Sequence, residues 1–537
     1  MPFFYYICRV KKTLALRRLA AVAASVALLS PAWLGGSGCT LFAAFVPLLW
    51  LSRSCEASRR GWWTMFGWAL LAFVGWNLAT VWWIWYATPV GPVAATVASS
   101  FLNMVAFMTF HSVSKKGPKP LAYTLLVTGW IATEYLYTVG DFSWPWLILG
   151  NGFSHDVRLV QWYEYTGVFG GSLWVLLSNI LLFEALCSPG RRRWTAAATA
   201  VLGPMLLSGI IYLSYRQPEP ACTVTALQPN VDCYSKFNSD DEWQERNLLD
   251  LLAQAPADAD FIIAPETALT RHMDEAQLGD LSRCPHLIPF ADTMAARYPG
   301  ALFVTGANTL RYYPAGQQTP TARRLAHTPL WYDHFNTALA IGSEGVEGLY
   351  HKGRLVIGVE NTPTWVFRAL RFLVVDLGGV LGQIGIGQNR TVFTARGVAA
   401  GPAICYEGLY GDFYGDFVRH GARVMLLISN DGWWGDTPGY RHLFSISRLR
   451  AVEHRRAIAR SANTGQSGFI DCRGDQIGPE LGWEERGLIS CRLPLNDRLT
   501  FYTRWGDYIG RLSLGTALLC LLYWLAYRIK RKNHLTA

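Results

Sequence analysis

Long apolar runs separated by short basic clusters constrain this chain more than any other feature. A membrane-spanning helix needs about 20 mostly apolar residues. Seven candidate runs precede residue 215, near 17–34, 39–52, 61–87, 91–113, 120–139, 159–187 and 194–214, and an eighth lies near 511–527. The first run, with "LAAVAASVALLSPAW", has the look of a signal-peptide core. The unbroken series of further runs argues instead for a retained span.

The loops predict orientation. Arg9, Lys11, Lys12, Arg17 and Arg18 form one basic cluster, followed by Arg53, Arg59 and Arg60, then Lys115, Lys116 and Lys119, then Arg191, Arg192 and Arg193, and last Arg528, Lys530, Arg531 and Lys532. The loops between them, such as "GGSGCT" and "ATPVG", carry no basic residue. Basic loops stay cytoplasmic. Both termini are therefore expected inside, and the block near 215–510 outside. The resulting division is 1–214 for membrane helices one to seven, 215–510 for an external domain, and 511–537 for the eighth helix with a basic tail.

The net charge of +10 does not point to nucleic acid, because the cations flank apolar runs. Eleven cysteines lack C-x-x-C pairing, so neither a zinc site nor a disulfide framework is indicated. A disulfide among Cys222, Cys233, Cys284, Cys472 and Cys491 stays open for a domain in an oxidising compartment. His351, His442 and His454 lack metal-ligand spacing, and no metal is expected. Glu134, inside the fifth run, reads as a hydrogen-bonding group between helices or as part of a substrate path. The loop "DFSWPWLILG" reads as an aromatic belt.

The block from 222 onward alternates short apolar stretches such as "FIIAPETAL", "HFNTALAIG", "GPAICYEG" and "RVMLLISND" with helical ones such as 241–255 and 441–460. This predicts a layered α/β domain with chemistry at strand ends. Three ends stand out: Glu266 in "APETAL", Lys352 in "YHKGRLV" and Cys405 in "ICYEG". A carboxylate, an ammonium and a thiol suffice for thiol-based acyl transfer. The first moves protons, the second steadies an oxyanion, and the third attacks. Spacing alone leaves the plainer readings open: a surface carboxylate, a solvated lysine and a buried core cysteine.

Together these three residues resemble the Glu–Lys–Cys triad of the nitrilase superfamily. With eight spans around an external domain, and with "SNDGWWGDTPGYRHL" after the cysteine, the chain is similar to the apolipoprotein N-acyltransferase family over nearly its whole length. The resemblance implies a membrane domain joined to a nitrilase-like αββα sandwich. It also implies supporting roles for Glu360, Tyr406, Glu407 and Asn336, and a loop role for Trp433. Phe237 stands where the family often has tryptophan, and the lysine loop "KGRLVIGVENTPTW" departs from the commoner form. These departures touch loop shape and substrate contacts. Glu360 and Glu407 are expected to orient Lys352 by ion pairing rather than to handle protons.

The activity implied is acyl transfer without a cofactor. Cys405 takes a fatty acyl group from a phospholipid, with phosphatidylethanolamine as expected donor. The amine of a diacylglyceryl-cysteine on an apolipoprotein then receives it. The setting implied is a bacterial inner membrane, with the domain periplasmic and the chain a monomer. The apolar stretch 363–388 is expected to be an arm at the interface or a gate, with a core helix and strand of the domain as the alternative. A membrane-anchored amidase using the same triad and a catalytically silent scaffold are the alternatives.

Overall fold

The structure is a computed structural model that describes residues 2–140, 143–357, 359–361 and 384–536. It divides into two units, one of residues 1–85, 89–213 and 507–537, the other of 86–88 and 214–506. Most of the stretch expected to form an arm, up to residue 383, lies outside the described residues.

The first unit is helical, and each apolar run falls on helix. Among the described residues, six helices are long and apolar enough to cross a membrane: Thr13–Trp33, Arg59–Tyr86, Gly91–Lys116, Tyr163–Cys187, Arg191–Ser214 and Tyr508–Asn533. The helix Lys119–Val139 is 21 residues long but less apolar. The second run is short and broken, into a 3-10 turn and the helices Leu41–Ala44 and Val46–Ser54. Pro47 explains the break, since it offers no N–H and crowds the preceding turn. Asn179 patches it: its Oδ1 accepts from Phe45 N–H at 2.8 Å, and its Nδ2 donates to the Leu41 carbonyl at 2.7 Å.

Two polar or aromatic features of this unit have defined contacts. Glu134 Oε1 accepts from Trp130 Nε1 at 3.0 Å and from Leu149 N–H at 2.8 Å, so it ties a helix to the following loop. The loop expected to form an aromatic belt instead packs Trp146 inward, against Trp83 with ring centroids 4.9 Å apart.

The second unit holds two sheets. Its strands are β1 (Pro220–Gln228), β2 (Phe261–Ile263), β3 (Leu269–Asp274), β4 (Leu302–Tyr313), β5 (Arg323–Arg324), β6 (Trp331–Gly342), β7 (Gly345–His351), β8 (Phe393–Ala395), β9 (Val398–Ile404), β10 (Val424–Ser429), β11 (Ala457–Ala462), β12 (Ser467–Ile470), β13 (Gln476–Leu481) and β14 (Gly487–Pro494). One sheet runs β14-β1-β2-β4-β6-β5, with β3 beside β4 and β7 beside β6. The other runs β13-β12-β11-β10-β9-β8.

The centre of each sheet is parallel: β1, β2 and β4 in one, β9, β10 and β11 in the other. Such strands are covered on both faces, which is why "FII" and "VMLLIS" are buried at every position. The helices Asp241–Leu252 and Ile288–Arg297 cover the first sheet. Leu248, Leu252, Phe290 and Met294 share one core with Ile262, Phe303 and Leu339. The helices Gly411–Arg419 and Pro438–His454 cover the second, and β1 meets β11 between the sheets. The result is four layers: helix, sheet, sheet, helix. Cys222, Cys233, Cys284, Cys472 and Cys491 are all free thiols.

Candidate active site

The ends of parallel strands from both sheets converge on one point. β2 leads through Ala264 and Pro265 to Glu266. β9 leads to Cys405, and β10 to Asn430. Lys352 follows β7, and Asn336 lies within β6. Backbone bonds hold these ends in place: Lys352 N–H donates to the Asn336 carbonyl and Gly387 N–H to the Lys352 carbonyl, both at 2.9 Å.

At the centre is an ammonium between two carboxylates. Lys352 Nζ lies 2.8 Å from Glu266 Oε1 and 2.9 Å from Glu360 Oε1, with the lysine side chain 1% exposed. Asn336 Nδ2 donates to the same two oxygens, at 2.7 and 3.1 Å. Glu266 Oε2 accepts from Asn430 N–H at 3.1 Å. An ammonium has three N–H donors. Two are spent on carboxylates, leaving one for the sulfur or for a substrate oxygen.

The electrostatics assign protonation states. Burial pushes the Glu266 carboxyl up, but the Lys352 charge and the hydrogen bonds from Lys352, Asn336 and Cys405 outweigh it and hold it below the usual carboxylate range. Burial pushes Lys352 down, and the charges of Glu266 and Glu360 overcome this, holding it well above its usual value. Burial raises the Cys405 thiol, and Glu266 raises it further, against the pull of Lys352. The resting site is thus a carboxylate, an ammonium and a neutral thiol. It sets a carboxylate beside a thiol that burial and the neighbouring negative charge keep protonated.

The backbone delivers the thiol at a sharp turn. Cys405 has φ of 49°, in the left-handed region, between β9 and a 3-10 turn at Cys405–Leu409. Non-glycine residues there are uncommon and are held by their surroundings. Glu407 supplies part of that hold. Its Oε2 accepts from Ile404 N–H at 2.7 Å, and its Oε1 accepts from Gly353 N–H and from the Tyr350 hydroxyl, each at 2.6 Å. Glu407 is fully buried, and burial raises its pKa despite these donors. It does not make the expected ion pair to Lys352. It clamps the residue before Cys405 to the residue after Lys352.

The other expected residues fall into two groups. Glu360 pairs with Lys352 directly, and its second oxygen accepts from Val356 N–H at 2.8 Å. Tyr406, Phe237 and Trp433 make other contacts. Tyr406 is buried against Tyr410, with ring centroids 5.5 Å apart. Phe237 and Trp433 are half-buried on two 3-10 turns, Lys236–Asn238 and Asp431–Trp434. Trp433 meets Tyr234 edge-on at 5.5 Å.

Three contributors escaped the sequence reading. Lys236 is 1% exposed, and its Nζ donates to the Glu266 carbonyl at 3.1 Å and to Thr267 Oγ1 at 3.0 Å. Burial lowers it to about 8, against the raising effect of Glu266. It braces a strained turn, since Thr267 has φ of 51°. Gly306 is the second: a Cβ there would lie 2.5 Å from the Glu266 Cα and 2.3 Å from Thr267 N. The third is the fully buried pair Asp431–Arg460, with contacts of 2.9 and 2.8 Å, which anchors the turn after Asn430. The charged residue in "SKFN" beside Phe237 was the one available signal. Among the described residues, no group of three or more His, Cys, Asp or Glu side chains is placed to hold a metal.

The chain is similar in sequence to known proteins. Residues 19–181 match the family model for the apolipoprotein N-acyltransferase N-terminal domain, and residues 223–498, over half of the chain, match that for carbon-nitrogen hydrolases. The apolipoprotein N-acyltransferase of Chlorobaculum tepidum is 28% identical over 499 residues, covering 88% of this chain and 89% of that protein. The one from Geobacter metallireducens is 28% identical over 421 residues, covering 75% and 74%. An amidase from Nesterenkonia sp. of known structure is similar at 17% identity over 54% of this chain and 94% of that chain, with a TM-score of 0.36. The chain belongs to the carbon-nitrogen hydrolase family, in the branch that joins this domain to an apolipoprotein N-acyltransferase N-terminal domain.

Proposed function

We propose that this chain transfers a fatty acyl group from a phospholipid to the N-terminal amine of the diacylglyceryl-cysteine of apolipoproteins, by way of a thioester on Cys405. The observation that carries the reading is the resting charge arrangement, an ionised Glu266 and a protonated Lys352 against the neutral thiol of Cys405. Chain-length similarity to proteins named for that activity supports it.

The first half-reaction makes the thioester. Cys405 Sγ attacks the ester carbonyl while Glu266 takes the thiol proton. The free N–H of Lys352 faces the developing oxyanion. Collapse breaks the ester C–O bond, and Glu266 returns the proton to the departing lysophospholipid oxygen. In the second half, the lipoprotein amine attacks the thioester and Glu266 takes its proton. Collapse then breaks the C–S bond and leaves an amide, and Glu266 returns the proton to the departing Cys405 sulfur. No ATP or external acyl donor is needed, because the phospholipid ester is already activated and the thioester conserves that activation.

The donor in this reading is phosphatidylethanolamine, through its sn-1 chain. The chain is a monomer in a bacterial inner membrane. It has eight spans, both termini cytoplasmic and the catalytic domain periplasmic, an assignment resting on the five basic clusters. Glu266, Lys352 and Cys405 form the triad. Glu360 and Asn336 orient the lysine, and Glu407 fixes the backbone on either side. Tyr406 supports the site beside Cys405, and Phe237 and Trp433 shape the substrate path.

The test is incubation of the purified chain with phospholipid and a diacylated lipopeptide, with mass spectrometry of the products. Acylation of the lipopeptide amine together with lysophospholipid release is expected. Ammonia release from small amides without lipopeptide acylation would identify an amidase. Full maturation activity in Cys405→Ala would leave a scaffold.

A further inference from the structure

A second site lies in the helical unit, far along the sequence from the triad. A cavity of about 380 Å³ opens where the helices Arg59–Val81 and Gly91–Lys116 and the C-terminal helix Tyr508–Thr536 come together. Four cations line it, Arg59, Lys115, Lys116 and Arg528, against a single carboxylate, Glu56. Lys115 is fixed in place, its Nζ donating to the carbonyls of Arg53 at 3.2 Å and Cys55 at 2.6 Å, with one N–H left over. The side chains of Arg59, Lys116 and Arg528 make no hydrogen bond or ion pair among the described residues. Ser58 caps the helix that begins at Arg59 by accepting from Gly61 N–H at 3.0 Å, and the helix dipole adds positive potential at the same place.

Apolar surface leads away from this cationic mouth. Trp62, Trp63 and Trp524 line it too, beside Ala57, Ser58, His111 and Ser112. On the helix Arg59–Val81, Trp63, Leu70, Leu71 and Leu78 are exposed at helical spacing, along one stripe below the cavity. On the C-terminal helix, Leu518, Leu522, Leu525 and Ile529 are likewise exposed. Both helices are long and apolar enough to cross a membrane. A ligand matching the whole feature has an anionic head for the mouth and acyl chains for the stripe. A free phosphate matches only the first part.

We propose that this cavity is a binding site for the headgroup of an anionic phospholipid, distinct from the acyl-donor site at Cys405. It rests on the reading of these helices as membrane spans. Its occupant is held rather than converted, since Glu266, Lys352 and Cys405 belong to the other unit. Phosphate is held by cations at a mouth ringed with tryptophan, as basic pockets between spanning helices hold such lipids.

The test uses the full chain, purified with phosphatidylglycerol and phosphatidylcholine in equal amounts, and native mass spectrometry of retained lipid. A preference of about tenfold or more for phosphatidylglycerol is expected. R59Q/K116Q/R528Q loses the preference. R191Q/R192Q/R193Q removes the same charge from another basic cluster and keeps it. Equal retention of the two lipids overturns the proposal, as does a preference that survives the first variant or falls equally in the second. Displacement of the retained lipid by millimolar inorganic phosphate would show a free-anion site instead, and also overturns it. Cys405→Ala retains the preference, so the result stands apart from the proposed acyl transfer, which is assayed separately on the same preparations.

Discussion

Replacing Lys352 by methionine should reverse the pH dependence of stability contributed by the site. Lys352 is 1% exposed, and its partners Glu266 and Glu360 are 7% and 16% exposed. Methionine fills similar space but leaves two carboxylates without a cation. Orphaning a buried charge in this way costs about 3–5 kcal/mol. In the wild type, Glu266 is held below its unfolded value of about 4.3, so its stabilisation is present above that pH and is lost as pH falls through the folded value. Lys352 is held above its unfolded value of about 10.4, so its share is complete below that pH and is lost only as pH rises through the folded value. Between about pH 5 and 8 the pair therefore contributes a constant amount. In K352M, burial acts on Glu266 without an opposing charge from Lys352, against only the remaining hydrogen bonds such as those from Asn336 and Asn430, and raises it. The carboxylate then destabilises the fold at pH 8, and protonation relieves it as pH falls. Tryptophan-fluorescence melting of the full chain should show a gap between variant and wild type that is widest near pH 8 and narrows toward pH 5. A gap that stays constant or widens on acidification would refute the assigned charge states.

Three further variants probe the supporting structure. Glu407→Gln weakens the charge-assisted bonds to Ile404 and Gly353, each worth about 1.5–3 kcal/mol, and should lower kcat of acyl transfer with little change in KM, because the clamp acts on the backbone of the reacting groups. Lys236→Met removes a positive charge near Glu266 and should move the acid limb of the pH–rate profile upward, while Lys236→Arg restores it; identical profiles would confine Lys236 to a purely structural part. Gly306→Ala forces the Glu266 turn aside. Activity should fall by about 10²-fold, the scale expected of a 1 Å misplacement, while the membrane unit's helix content stays unchanged by circular dichroism.

The strand ends that carry Glu266 and Cys405 were legible in the sequence because parallel strands are buried on both faces. "FII" and the run before "CYEG" therefore read as continuous apolar stretches that stop where the chemistry starts. The helical segments were legible for a similar reason, except that Pro47 splits the second run in a way hydropathy does not register. The contribution of Glu407 was not legible. Spacing places a carboxylate two residues from the cysteine, and only the fold directs its oxygens to the N–H groups of Ile404 and Gly353 rather than to an ammonium. Lys236 was hidden because its partners, Glu266 and Thr267, are brought to it by a long connection and by the left-handed turn at Thr267. Trp146 misled because an aromatic loop between apolar runs looks the same whether its rings face headgroups or pack inward.

The most direct test of the central claim is intact mass spectrometry of the full chain after exposure to phosphatidylethanolamine alone, with no acceptor present. A single fatty acyl adduct is expected that maps to Cys405, is absent from Cys405→Ala, is removed by neutral hydroxylamine as a thioester is, and disappears when a diacylated lipopeptide is added. An unmodified Cys405 in a preparation that still acylates the lipopeptide would contradict it.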